Sequence, residues 1–188
     1  MSHDVFELAL LREDLAYHQA RILLLVTAVA ATPGHQSKLD GLTKLAKLDF
    51  LVRYPALASQ VLEELPPQDP RLHLTPAEDA HPTDVEAPMI RYKYGPWDDR
   101  YYSVIGALVG RGLLAYRRGR QGNVALAPTL AGKRLSRDMS VSSQWAPISD
   151  RCQAVAEASI GLTGNALKDR IYQRLAPLMN RPHRQVIR

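Results

Sequence analysis

The stretch from Met89 to Leu135 constrains the fold more than any other, because its hydrophobic period switches repeatedly between that of strands and that of helices. It reads MIRYKYGPWDDRYYSVIGALVGRGLLAYRRGRQGNVALAPTLAGKRL. Ile90, Tyr92 and Tyr94 alternate with Arg91 and Lys93, the pattern of a short half-buried strand, and Gly95-Pro96 is expected to break it. Tyr101, Ile105, Leu108 and Val109 then form a helical stripe. That helix is expected to begin near Trp97-Asp98-Asp99, where carboxylates complement the exposed amides and partial positive charge of a helix start. Arg111-Gly112 closes it, glycine tolerating the left-handed backbone common just past a helix end. LLAYRR and NVALAP follow as two strands joined through Gly119-Arg120-Gln121-Gly122, a hairpin. Thr129 opens a further helix, TLAGKRLSRDM.

The rest of the chain supplies helices. Apolar residues recur at helical spacing from Val5 to Ala31, as one long helix or two, ended by Thr32-Pro33-Gly34. RILLLVTAVAA has no polar face and is expected to be the central, most buried helix. In KLDGLTKLAKLDFLVRYP, Leu42, Leu45, Leu48 and Val52 share a stripe while Asp40, Lys44 and Lys47 lie off it, which predicts a surface helix with a basic outer side. Pro55 stops it, and ALASQVLEEL makes a short helix. From Pro66 to Pro88, prolines and acids without apolar period predict a connecting loop. After Trp145 two helical patterns remain, one from Ala154 to Ile160 and one through Leu167, Ile171, Leu175 and Leu178, with Asn165 as the cap between them. The tail RPHRQVIR is expected to fray.

The order strand, helix, hairpin, helix after upstream helices predicts a mainly α fold with a small β-hairpin: a winged helix-turn-helix core with N- and C-terminal helical extensions. The divisions are 1–65, the N-terminal helical part; 66–88, the acidic Pro-rich loop; 89–140, the second half with the wing; and 141–188, a helical extension and basic tail. At 188 residues and 46% hydrophobic content, the chain can bury a core without disulfides or metal.

Catalytic patterns are missing from this sequence. There is no GxxxxGK[ST] loop to cradle phosphate for an ATPase, and Gly106, Gly110 and Gly112 lie in or after a helix, unlike a dinucleotide fingerprint. Cys152 and His183 are isolated nucleophile or base candidates, Cys152 reading better as a small packed residue. Asp98 and Asp99 diverge by about 100° on a helix and so do not converge on one substrate atom; capping explains them. His18 and His73 read as solvated, and neither metal nor cofactor is expected. One cysteine and no apolar run long enough for a bilayer lead to the expectation of a cytoplasmic protein without signal peptide or membrane span.

The charge of +5 makes anionic partners worth weighing. Arg117, Arg118 and Arg120 cluster at the wing, followed by Lys133, Arg134 and Arg137, so affinity for phosphates through counterion release is one reading. A solvated basic face or a protein-binding surface is the other. The helix in the recognition position opens on two aspartates and offers mainly Arg100, Ser103 and Arg111, which does not support reading of base sequence.

KLAKLDFLVRYP (Lys44 to Pro55), RYKYGPWDDRYYSVIGALVGRGLL (Arg91 to Leu114) and LTGNALKDRIYQRL (Leu162 to Leu175) together resemble the middle-component subunits of bacterial ABC-three-component systems, the Lamassu-like defence assemblies. The resemblance spans residues 15 to 178. It implies a non-enzymatic winged-helix subunit beside an ABC- or SMC-type ATPase and a separate effector such as a nuclease, acting against phage or plasmids. It implies a signature turn of Tyr94, Gly95, Pro96, Trp97, Asp98 and Tyr102, with Lys44 and Lys47 also among the partner-binding or signature positions. It brings no catalytic residue. The alternative is a free-standing DNA-binding transcriptional regulator.

Overall fold

The computed structural model describes residues 14–74 and 89–187. Helix α1 runs Leu15–Ala31, with the Asp14 carboxylate accepting from the amides of Ala16 and Tyr17, the usual remedy for orphan donors at a helix start. Thr32 ends it as expected. The portion of the first helical pattern from Val5 to Glu13 lies outside the described residues.

Two residues, Leu39–Asp40, form β1, a strand too short to leave a periodic signal. Helices α2 (Leu42–Arg53) and α3 (Pro55–Val61) follow. The described start of the Pro-rich loop makes a 3₁₀ turn, Pro70–Leu72. It packs against a later helix, Arg71 bonding Glu157 and Arg151 donating to His73 O. The remainder, 75–88, lies outside the described residues.

Gly95-Pro96 does not simply break the strand. Lys93 and Tyr94 form the turn, and β3 (Gly95–Trp97) returns antiparallel against β2 (Ile90–Tyr92). Proline is tolerated there because an edge position asks for no further N–H. Helix α4 (Tyr101–Gly110) starts later than expected and buries Tyr101, Val104, Ile105 and Leu108. Gly112 takes φ +69° just beyond it.

Strands β4 (Leu114–Arg118) and β5 (Val124–Pro128) pair from Leu114↔Pro128 to Arg118↔Val124, the expected hairpin. Strand β1 adds to its β5 side, giving a three-stranded antiparallel sheet ordered β1-β5-β4. Helix α5 (Leu130–Ser140) is capped by Thr129, whose hydroxyl accepts from Gly132 N. Helices α6 (Ala146–Ala158), α7 (Gly164–Arg174) and α8 (Ala176–Met179) complete the chain. The cap of α7 is Thr163 in place of Asn165, its hydroxyl accepting from Ala166 N. The break at Leu175 leaves Leu178 only half-buried.

The C-terminal helices belong to the core. Cys152, Val155, Leu167, Ile171 and Met179 are buried in the same cluster as Leu25, Leu48, Phe50 and Ile105. Helix α1 packs on α4, α5, α6 and β5, and α2 packs on α6, α7 and β3. This overturns the surface-helix expectation: every residue of α2 from Lys44 to Arg53 is buried, Lys44 and Lys47 included. Helix α2 is therefore covered more completely than the apolar α1.

The tail is also ordered up to Ile187. Ile187 N donates to Met89 O and Arg91 N to Gln185 O, extending the hairpin along β2. The Tyr54 hydroxyl donates to Ile187 O at 2.7 Å. Ile187 is fully buried, and its burial with these bonds explains why the expected fraying does not occur. Among the described residues no helix is long and apolar enough to cross a membrane.

Candidate functional site

Three regions collect the residues singled out from the sequence: an ion network beneath α4, the exposed side of α4 with the β2–β3 hairpin, and the wing.

The network is centred on Asp49. Its carboxylate accepts from Arg21 Nε at 2.8 Å, from Arg53 Nε and Nη2 at 2.9 and 2.6 Å, and from the Tyr101 hydroxyl at 2.7 Å. Burial alone would raise this acid, but the two guanidiniums outweigh it and hold it at about 2. Arg53 reaches on to Asp98 Oδ2 at 2.9 Å, and Arg100 grips Asp98 through Nε at 2.9 Å and Nη2 at 2.8 Å. Despite burial, these contacts hold Asp98 well below the ordinary carboxylate range.

Asp98 is therefore not an acidic entrance to α4. It is buried, it takes Arg100 N at 2.9 Å, and Arg100 follows as an N-cap that makes no side-chain capping bond. Asp99 stays at the surface against Arg184 of the tail. Both carboxylates are thus paired with arginines.

His18, expected to be solvated, is buried, with Nδ1 at 3.1 Å from Arg21 Nη1 and Nε2 at 2.6 Å from Arg100 Nη1. The network ties α1, α2, the β3–α4 turn and α4 together. Its sequence signal is weak, because Asp49 and Arg53 at i, i+4 look like an ordinary surface pair.

Above the network, α4 exposes Tyr102, Ser103, Gly106 and Gly110. Tyr102, Gly106 and Gly110 fall on one stripe. Tyr102 is 67% exposed and Tyr94 52%. Trp97 is half-buried, its ring 6.2 Å from that of Tyr102 and 6.0 Å from that of Tyr92, which in turn lies 5.2 Å from His183. The signature residues Trp97 and Tyr102 are thus brought together as an aromatic band with a smooth glycine surface beside it. Lys44 and Lys47 are not part of it. Lys47 lies beneath the hairpin, its ammonium donating to Pro96 O at 3.0 Å, and burial with nearby Lys168 pulls it down to about 7.

At the wing, Arg117, Arg118 and Arg120 are exposed. The tip is fixed from below: Asp40 of β1 accepts from Arg120 N at 3.1 Å, and Gly119 N donates to Asn123 O. Lys133 and Arg134 are exposed on α5, but α5 leaves from the opposite end of the hairpin. With about 3.3 Å per strand residue, the run from Arg118 to Leu114 separates the tip from the start of α5 by roughly 13 Å. The five cations therefore form two groups along the hairpin instead of one cluster.

Cys152 is fully buried, and burial pushes its thiol up, away from nucleophilic use. Among the described residues no group of three His, Cys, Asp or Glu side chains is placed to hold a metal ion. No family model, curated protein or solved structure matches this chain.

Proposed function

We propose that this chain is a non-enzymatic winged-helix subunit that docks onto an ABC- or SMC-type ATPase in a cytoplasmic anti-phage or anti-plasmid assembly containing a separate effector, with its wing touching DNA phosphates non-specifically. The winged-helix reading is supported by the order α1-β1-α2, then α4-β4-β5, and by the sheet order β1-β5-β4, with α4 in the recognition position. The ATPase and the defence role rest on the resemblance of the Lys44–Pro55, Arg91–Leu114 and Leu162–Leu175 strings.

One observation carries the docking reading: the exposed stripe of α4 is Tyr102, Gly106 and Gly110, with the Trp97 ring against Tyr102 at its start. Exposed aromatics beside small residues suit a protein contact, since Trp and Tyr anchors dominate such interfaces. A helix entering a DNA groove would need polar side chains there. The test is co-expression with the products of the flanking genes and pull-down of an ATPase. Tyr102→Glu and Gly106→Arg are expected to abolish capture while leaving the melting curve within about 2 °C of wild type. A wild-type chain that stays monomeric and retains no ATPase overturns the proposal.

A second reading, a free-standing DNA-binding regulator, is favoured by the exposed Arg117, Arg118 and Arg120. It predicts a homodimer and symmetric half-sites in a footprint. Salt titration of duplex binding by wild type and Arg117→Glu/Arg118→Glu distinguishes the two. Unchanged affinity in the double variant removes the wing from both readings.

A further inference from the structure

Beside the wing lies a cleft of about 590 Å³ that the docking reading does not use. It is walled by the loop preceding α2, the first turn of α2, the tip of the wing and the loop leading into α7. We propose that this cleft binds a phosphate group, as orthophosphate or on a small phosphate ester such as a nucleotide.

Two helix starts supply the first reason. Gly41 precedes α2 with φ +93° and, having no side chain, makes no cap to its first amides. Gly164 opens α7 directly against that turn: a Cβ there would lie 2.8 Å from Lys44 N and 3.1 Å from Thr43 Cβ. The sequence thus uses a glycine to bring two helix N-termini into contact. Each carries about half a positive charge, so their approach is unfavourable unless negative charge lies between them. Among the described residues the Thr163 hydroxyl accepts from the Ala166 amide of α7.

The side chains add to the same sign. Lys44, Lys38 and Arg120 line the cleft. Lys44 is 7% exposed. Among the described residues the hydrogen-bond partner of its ammonium is His35 Nδ1 at 3.3 Å, and no carboxylate lies within ion-pair distance of it. His35 Nε2 meets Ala156 O at 2.7 Å and must donate there, so Nδ1 offers a neutral lone pair. Burial pulls His35 down, and its contact with Lys44 acts in the same direction. Burial lowers Lys44 as well, with Asp40 opposing that and Arg120 reinforcing it.

The contrast with the core is informative: Arg21 and Arg53 are ion-paired with Asp49, whereas among the described residues Lys44 has no carboxylate at ion-pair distance and feels Asp40 only across the cleft. Asp40 is the one carboxylate they place on the cleft wall, and both its oxygens already accept from Arg120 N, at 3.1 and 3.2 Å. Lys38 donates to Arg118 O at 3.0 Å and keeps further donors for a ligand. A cluster of cations and amide donors around a concavity of this size matches what a phosphate requires.

The experiment titrates the full chain at pH 7 and low ionic strength with orthophosphate, with AMP, and with a blunt DNA duplex lacking terminal phosphates. Calorimetry gives affinity, and backbone amide NMR shifts give location. Orthophosphate or AMP is expected to saturate one site and to shift the amides of Leu42, Thr43, Gly164 and Asn165. Lys44→Met and Arg120→Ala are each expected to weaken it at least tenfold, while Arg117→Glu/Arg118→Glu changes it less than twofold. Tighter binding of AMP than of orthophosphate assigns the ester as ligand; equal binding assigns the free ion. Arg120→Ala and the wild-type shifts keep the test valid if Lys44→Met fails to fold. No saturation by either small ligand, shifts outside these residues, or a response to the duplex alone overturns the proposal. None of these outcomes bears on ATPase capture, so the docking reading stands or falls separately.

Discussion

Replacing Asp49 by Asn removes one charge from the centre of the molecule while keeping the side chain's size. The native carboxylate accepts four hydrogen bonds, from Arg21, twice from Arg53, and from Tyr101. An amide offers one acceptor oxygen and turns an NH₂ toward donors. Arg53 keeps Asp98 at 2.9 Å, so part of its charge stays balanced. Removing one member of a buried ion pair costs about 3–5 kcal/mol, because the surviving charge has already lost its water. For a chain of this size each kcal/mol corresponds to roughly 2–4 °C. The melting temperature should therefore fall by roughly 6–20 °C. Urea titration followed by fluorescence of Trp97 and Trp145, with circular dichroism as a second probe, measures the change. The double variant Arg21→Met/Asp49→Leu should lose less than Asp49→Asn alone, since it removes desolvated charges together. An Asn variant within about 1 kcal/mol of wild type, with unchanged m, would refute the argument that this network is closed and desolvated.

The acid limb of stability should share the same origin. Asp49 sits at about 2 in the folded state against an ordinary 3.8, so its contribution, about 2–3 kcal/mol, is complete above pH 4 and lost as pH falls from 4 to 2. Urea midpoints measured across that range should lose this slope in Asp49→Asn. Lys47 works in the opposite sense: at about 7 against 10.5, the folded state binds fewer protons than the unfolded one between these values, so stability rises with pH there. Lys47→Met should flatten that rise and raise stability at pH 7; a loss at pH 7 would show that the bond to Pro96 outweighs the desolvation of the amine. Ile187→Ala should cost about 2–4 kcal/mol by leaving a void between β2 and Tyr54, and a cost under 1 kcal/mol would mean that the tail is not docked in solution. Gly132→Ala, usually stabilising in a helix by about 1 kcal/mol, should here destabilise by at least that much, because the new methyl would overlap Leu113 O; unchanged thermal melting would refute that close approach.

The elements most readable from sequence are those whose signals are local. The wing follows from flanking glycines and alternation on each side, Thr129 from its position before a helical run, and the end of α1 from Thr32-Pro33-Gly34. What stays hidden depends on partners far away in the chain. Strand β1 exists because Leu39 and Asp40 find Leu126 and Ala125, and the tail is ordered because Met89 and Tyr54 receive it. Lys44 and Lys47 mislead for the same reason: their spacing off the leucine stripe describes a solvated face only if nothing covers that face. Helix α7 and the β2–β3 hairpin cover it. Arg21, Arg53 and Asp98 are legible as charged residues, but their convergence on Asp49 joins separate segments, and no spacing rule connects them.

Covering α2 also changes where function can lie. A bare winged helix would offer this helix to partners, with its lysines as the natural candidates. With α6, α7 and the hairpin packed around it, α2 contributes only its N-terminal turn to the surface, and that turn opens into the cleft. The exposed stripe of α4 and the wing tip remain as separate surfaces, one aromatic, the other cationic. Substitutions should then separate: Tyr102→Glu should affect protein capture and leave anion binding intact, Arg120→Ala should weaken anion binding, and duplex binding with it, while leaving capture intact, and Arg117→Glu/Arg118→Glu should alter only duplex binding. If one substitution disturbed all three readouts without lowering the melting temperature, the surfaces would have to be coupled through the rigid sheet and network that join them, and the division of roles argued from geometry would fail.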